Sequence, residues 1–514
     1  MAPDDNLSRK TIDLHFRNGH IWDSTGMGFR KGELVLVDGM IEQIAFGGSA
    51  DVRHPTGTET FDLEGGYVSP GFIDGHMHLL QWSISRSGLD LSRCRSLKEI
   101  VGMIRAVADG IVENELFSLT GIVMGTDIDD SHFPTGGIGD NGFLEEEFPD
   151  IPVIARRVCG HKAVANGQGL DVLGVGEDEH RKGLLLEELA MEVPWHLPIP
   201  DEVLGKLFRQ AVNELYGQGV VGGVDIVPMS RYEVLRDVHE GSGIVLRSSV
   251  SMIRDGPFSR PGPDLSEKDR KPFSDPGKDD DRLRLRFEKF FLDGSIGART
   301  ASFDRDYLDS PRFPLLHTDR ELGEMLMRSY GDGLVPMVHC IGDAAISQAI
   351  RVLEEIGGPY RLEHAEAITD EHLERMRAGK GSLCLQPNFQ HIWGRKGGLY
   401  EKGLGRSDDL NRLRSIVGSG VPWCFGTDMM PASPLFTFKG GLEHPVPSQR
   451  LQLWEMVEGF TKRSARLSLL EAGWYGDMMV GSRPDIAVLT KDLSSVSATM
   501  IGGRMVFEGP PSSL

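Results

Sequence analysis

The chain opens on short runs in which apolar and polar residues alternate: Thr11 to Phe16, Glu33 to Val37 and Ile41 to Ala45. Alternation with period two marks half-buried strands. Asn18-Gly19 and Asp38-Gly39 stand between these runs and predict hairpin turns, because both dipeptides tolerate left-handed backbone. The far end repeats the pattern, with Asp485 to Leu489, Ser497 to Ile501, the turn Gly502-Gly503, and Arg504 to Phe507. Neither end has enough apolar surface to stand alone. Both are therefore expected to build one small β-sandwich domain from residues 1–66 and 475–514.

Between them, strand-like apolar runs alternate with helical ones, the pattern of a parallel sheet or barrel. Strands are expected at 67–73, 219–226, 244–250, 285–291, 334–339, 360–364, 382–386 and 421–426. Helices are expected over Glu202 to Tyr216, Asp319 to Tyr330, Ala344 to Glu355 and Asp370 to Arg377. Eight such strands fit an α/β fold of the (β/α)8 TIM-barrel type over residues 67–474. Two surplus runs, Leu119 to Met124 and Pro152 to Val158, point to an insertion of roughly residues 85–215 after the first barrel strand. Arg254 to Asp281, rich in Pro, Gly, Asp and Lys, reads as a long exposed loop.

Composition narrows the class. A hydrophobic content of 39% and a charged content of 25% describe an ordinary globular chain. No run of about 18 apolar residues marks a membrane span, and Met1 to Lys10 lacks the apolar core of a secretory signal. Cys94, Cys159, Cys340, Cys384 and Cys424 are scattered and odd in number, as expected of reduced thiols in a cytoplasmic protein. A formal net charge of -21 repels phosphate backbones, which disfavours nucleic acid as a partner but says little about a small-molecule substrate. Homo-oligomerisation is left open.

The candidate chemistry starts at Ser69 to His78, where an apolar run ends in His76 and His78. Residues i and i+2 of a strand face the same way, so both imidazoles converge on one point, and neutral imidazole is a common metal ligand. In a barrel, chemistry sits at the carboxyl ends of the strands. Reading those ends adds Lys289 inside Phe287 to Phe291, His339 after Leu334 to Val338, His364 after Arg361 to Glu363, and Asp428 after Val421 to Thr427. Burying an unpaired ammonium is costly. Lys289 must therefore pair with Glu363 or Asp293, reach solvent, or lose its charge. Carbamylation by CO2 would turn it into an anionic two-oxygen ligand able to bridge two cations. Zinc is the default ion for such nitrogen and oxygen ligands.

These motifs, together with Asp293-Gly294-Ser295, Arg299-Thr300-Ala301, Gly342-Asp343 and Gly426-Thr427-Asp428, resemble the amidohydrolase superfamily. The likeness is strongest to its amidohydrolase-3 branch, which includes N-substituted formamide deformylase-like proteins, and it spans essentially the whole chain. It implies one or two divalent metals: His76, His78 and Asp428 on the more buried ion, His339 and His364 on the second, and carbamylated Lys289 between them. His161, Asn166 and Glu187 are similar to the branch's inserted region. The chain departs from the family's pattern at Val224, where a histidine usually precedes the aspartate, at Thr427, and in the loop after Asp428.

The chemistry expected of such a centre is hydrolysis of an amide-type, non-peptide C–N bond by a metal-activated water. Asp428 would take the proton and return it to the leaving nitrogen. His161 and Gln386 are candidates to hold substrate or oxyanion. Ester or lactone hydrolysis and deamination are alternatives open to the same centre. A catalytically silent scaffold is the alternative from another class; such a protein would be expected to lose ligands, and here all six are present.

Overall fold

A computed structural model describes residues 13–509 except 26–27, 48–51, 131–132, 134–137, 159, 176–182, 187, 242–243, 254–282 and 471–475. The expected loop over Arg254 to Asp281, and with it Cys159 and Glu187, lies outside the described residues.

Eight parallel strands form the central sheet: Phe72–Met77 (β1), Val220–Pro228 (β2), Arg247–Ile253 (β3), Leu283–Phe291 (β4), Val335–Cys340 (β5), Tyr360–His364 (β6), Gly381–Leu385 (β7) and Trp423–Phe425 (β8). The sheet curls into a nearly closed barrel. Its seam is held by the Asp428 N–H donating to the His76 carbonyl at 3.0 Å. Thr427 donates to the Asp74 carboxylate from its backbone N–H at 2.9 Å and from its hydroxyl at 2.6 Å. Only glycine permits so close an approach. A Cβ on Gly426 would lie 2.5 Å from the His76 backbone nitrogen, and one on Gly75 would lie 2.8 Å from the Phe425 carbonyl oxygen.

Val224, Ile226, Phe287 and Met337 form a buried cluster of their own. By the period of two, Phe287 and Met337 share a face with Lys289 and His339, so this apolar layer lies beneath the polar strand ends. The crossover helices match the expected ones closely, at Asp201–Gly217, Asp319–Gly331, Asp343–Ile356 and Asp370–Ala378. Thr318 and Glu321 start the second of these with a reciprocal capping box.

Three expectations are corrected. The run 67–73 is divided at Gly71: the Gly71 N–H bonds Asp485 O at 2.8 Å, whereas the Phe72 N–H bonds Gly219 O at 2.9 Å. Tyr67–Pro70 therefore joins the terminal sheet and the barrel strand begins at Phe72. Asn18-Gly19 is not a hairpin turn. Leu14–Asp23 continues through it as one strand with a register shift between Phe16 and Gly19, and Asn18 takes the left-handed φ of 60° to make the bulge. Leu119 and Thr120 close a helix, Glu115–Thr120, which Asn114 caps and Gly121 ends at φ 71°; the strand starts only at Val123.

Asp38-Gly39 and Gly502-Gly503 do turn hairpins. Both chain ends meet in one sheet, in the order Arg504–Glu508, Val496–Ile501, Ile486–Leu489, Tyr67–Pro70, Leu14–Asp23, Gly28–Val37 and Met40–Phe46, with Glu59–Asp62 also beside Leu14–Asp23. Between β1 and β2 lies a third sheet of Leu89–Asp90, Val123–Ile128, Val153–Arg157, Lys162–Ala165 and Leu184–Leu186. It packs on its own core around Leu91, Ile104, Val123 and Val153. No described helix is long and apolar enough to cross a membrane.

Candidate metal centre

His76 lies at the end of β1 with no solvent exposure. Its Nδ1 is 2.5 Å from Glu363 Oε2. The other Glu363 oxygen accepts from Arg361 Nε at 2.6 Å, and Arg361 also donates to Gly75 O at 2.7 Å and Leu467 O at 3.0 Å. A carboxylate only accepts, so the His76 proton sits on Nδ1 and the Nε2 lone pair points to the barrel mouth. There, Nε2 is 3.5 Å from Asp428 Oδ1 and 3.3 Å from Lys289 Nζ. His78 Nε2 is 3.3 Å from the same Asp428 oxygen. These His76, His78 and Asp428 donor atoms all lie within 4.8 Å of one another. Cys384 comes equally close to His76 and Glu363, but that carboxylate is already engaged by His76 and Arg361.

His339 and His364, at the ends of β5 and β6, extend the cluster. Ring centroids are 4.5 Å apart between them and 4.8 Å apart between His364 and His76. His339 Nε2 faces Gly294 O at 3.1 Å. Nδ1 of His78 and Nδ1 of His364 are buried without a hydrogen-bond partner. His364 and Asp428 hold left-handed φ values of 68° and 52°, a strained backbone that turns the chain at the strand ends and is common where function over-determines it.

Burial sets the charge states. It pushes His76, His339 and His364 well below the ordinary histidine range, and neighbouring basic groups add to the shift, so all three are neutral imidazoles able to ligate. Lys289 is lowered by burial to about 8, against the opposing pull of Glu363 and Asp428. Burial raises Asp428, but His76, His78 and Lys289 outweigh it and hold the carboxylate below its usual range. Burial raises Asp74, Asp225 and Glu366 each to about 7, although hydrogen bonds oppose the shift. Four imidazoles, three of them held neutral by burial, one carboxylate and a buried amine, with two ring nitrogens unpartnered, are a donor set that fits a divalent ion.

The centre opens on a cleft lined in part by His161, Ser295, His339, His364, Glu366 and Asp428. The structure thus brings His76, His78, Lys289, His339, His364 and Asp428 together, with His161 at the cleft and its ring 5.5 Å from that of His339. Gln386 stands apart. It is buried at the end of β7, Nε2 is 4.0 Å from Cys384 Sγ, and it is not among the residues lining this cleft. Asn166 is structural, capping Gly167–Leu173 and donating to Phe148 O and Ile151 O. Asp293, a possible partner of Lys289, instead accepts from the backbone N–H groups of Ser302, Ile341 and Gly342.

Sequence reading missed the Arg361 support behind Glu363 and the walls formed by Glu366, Phe389, Trp393 and Tyr400. The alternation in Arg361-Leu362-Glu363, which puts the two charged residues on one strand face, was the available signal for the first.

A model of the amidohydrolase family matches residues 59–507. Among curated proteins, the chain is similar to YtcJ of Bacillus subtilis, 24% identical with 96% of this chain and 99% of that protein covered. It is also similar to the N-substituted formamide deformylase of Arthrobacter pascens, 22% identical over 72% of each chain. A crystal structure described as an uncharacterized metal-dependent hydrolase from Pyrococcus furiosus superposes with a TM-score of 0.71 at 24% identity, covering 94% of this chain and 99% of that one.

Proposed function

The chain belongs to the amidohydrolase family, and from that premise we propose that this metal-dependent hydrolase cleaves an amide-type, non-peptide C–N bond of a small molecule. The observation that carries the reading is the convergence of His76, His78 and Asp428 donor atoms within 4.8 Å, with Lys289 Nζ 3.3 Å from His76 Nε2. His76, His78 and Asp428 would hold one divalent ion, zinc by the character of the donors. His339 and His364 would hold a second, with Lys289 between them. When bound, such ions bring the pKa of water toward neutrality and polarise a carbonyl oxygen.

The remaining work falls to the chain. Lys289 Nζ would add to CO2 and release a proton, giving a carbamate that would supply anionic oxygen ligands to the ions. Burial, which lowers Lys289 to about 8, favours the neutral amine that this addition requires. Asp428 accepts a proton from the attacking water and delivers it to the leaving nitrogen, so that an amine departs and a carboxylate remains. His161, at the cleft beside His339, donates to the oxygen that gains negative charge. The inserted region contributes Arg157 and His161 to the cleft wall. The burial of all four described cysteines as free thiols supports a reducing, cytoplasmic setting.

The test is Asp428→Asn assayed on N-formyl, N-acyl and cyclic amides. Turnover should fall by roughly 10²-fold or more, while metal stays bound at the remaining ligands. Unchanged turnover would overturn the role of Asp428.

A further inference from the structure

We propose that the cleft beside the metal centre contains a subsite for a protonated amine on the substrate, formed by the Glu366 carboxylate and the rings of Phe389, Trp393 and Tyr400. As a statement about substrate it rests on the hydrolase reading above; as a statement about binding it does not.

Glu366 is 3% exposed and lines the cleft two residues beyond His364. Its hydrogen bonds come from neutral donors only: Asn411 Nδ2 at 3.3 Å and the Tyr400 hydroxyl beside the same carboxyl. No described lysine or arginine pairs with it. Asp74 and Asp225 are likewise held by neutral donors, but neither lines the cleft, and other buried acids carry a cation. Glu363 has Arg361 at 2.6 Å, Asp130 has Arg157 at 2.5 Å, and Asp485 pairs with Arg247. A buried carboxylate without a counter-charge is expensive, and placing one on the wall of a binding cleft is accounted for when a bound group supplies the charge.

The adjacent rings are suited to the same group. Phe389 and Trp393 have centroids 4.8 Å apart, Trp393 and Tyr400 6.4 Å apart, and all three line the cleft with Glu366. Aromatic faces attract desolvated ammonium groups, and several rings around an acid form a cage for one. The Trp393 indole N–H is buried with no partner among the described residues. The arginine that also lines the cleft, Arg157, is held by Asp130. Phe389 stacks on the His364 ring at 5.9 Å and 9°, which ties the cage directly to the metal centre. A formal net charge of -21 draws cations toward the protein as a whole. A small amide carrying an ammonium group meets each of these features.

The experiment uses the full chain at neutral pH with benzylammonium and its neutral counterpart benzyl alcohol, followed by calorimetry. Wild type should bind benzylammonium at least about ten-fold more tightly. Glu366→Gln, which keeps the Asn411 contact, should erase that preference, and Trp393→Leu should weaken it. Equal affinity for the two probes in wild type overturns the subsite without reliance on any variant. Hydrolysis is measured in parallel on the mono-N-acetyl derivative of 1,4-bis(aminomethyl)benzene and on N-acetyl-4-methylbenzylamine, with the cationic substrate expected to have the higher kcat/KM only while Glu366 is present. Charge-selective binding without hydrolysis of either amide supports the subsite and counts against the amidase reading. Hydrolysis of both at equal kcat/KM upholds the amidase and overturns the subsite.

Discussion

Glu363→Gln should separate the two tasks of one buried carboxylate, holding a charge and orienting a ligand. Glu363 is fully buried between His76 Nδ1 at 2.5 Å and Arg361 Nε at 2.6 Å. The substitution keeps shape but leaves the Arg361 guanidinium, 1% exposed and stacked 5.0 Å over Phe287, without its counter-charge. Breaking a buried pair from one side costs about 3–5 kcal/mol. For 514 residues the entropy of unfolding is on the order of 1 kcal/mol per degree, so Tm should drop by about 3–5 °C. The orienting role is independent of that charge balance. Loss of the carboxylate behind a ligating histidine weakens metal binding by about 10- to 100-fold. The double variant Arg361→Met/Glu363→Gln removes the orphaned cation and should recover most of the stability while leaving metal affinity low. Calorimetric melting and zinc competition against a chromogenic chelator read the two quantities separately. Wild-type zinc affinity in Glu363→Gln would refute the claim that this carboxylate sets the His76 tautomer for ligation.

Two further outcomes follow from the same geometry. Asp225, which accepts from the Leu79 N–H at 2.8 Å, is raised by burial to about 7, so the native state keeps a proton that the unfolded chain releases near pH 4. Its contribution is fully present below about pH 4 and lost as pH rises to about 7. Asp225→Asn should therefore gain on wild type by up to about 4 kcal/mol across that window and hold the gain above it; denaturant melts as a function of pH test this, and a pH-independent difference would refute it. Gly426→Ala should destabilise the chain by about 1–3 kcal/mol and reduce zinc affinity, because its Cβ would meet the His76 backbone nitrogen at 2.5 Å; an unchanged melt and unchanged affinity would show that the barrel seam yields freely.

Much of this arrangement was legible in the chain because barrels put chemistry at strand ends. Each of Lys289, His339, His364 and Asp428 closes or sits near the end of an apolar run, and the eight strands were found within a few residues of their positions. The errors arose where local signals serve two purposes. Asn18-Gly19 supplies left-handed backbone, which a bulge needs as much as a hairpin. Tyr67 to Ile73 is one apolar run, yet Gly71 and Phe72 send consecutive N–H groups to different sheets, a division that only long-range pairing determines. The cleft walls were invisible for a related reason. Glu366, Phe389, Trp393 and Tyr400 come from loops and short helices whose meeting depends on the whole fold.

Anomalous diffraction from crystals of the zinc-loaded protein, at wavelengths either side of the zinc edge, tests the metal centre itself. The expected map has a peak with ligand distances of about 2.0–2.2 Å to His76, His78 and Asp428. It also has a second peak beside His339 and His364, and density for three extra atoms on Lys289 Nζ. An active, zinc-loaded crystal with no anomalous peak among these residues and a bare Lys289 ammonium would show that the hydrolytic centre lies elsewhere.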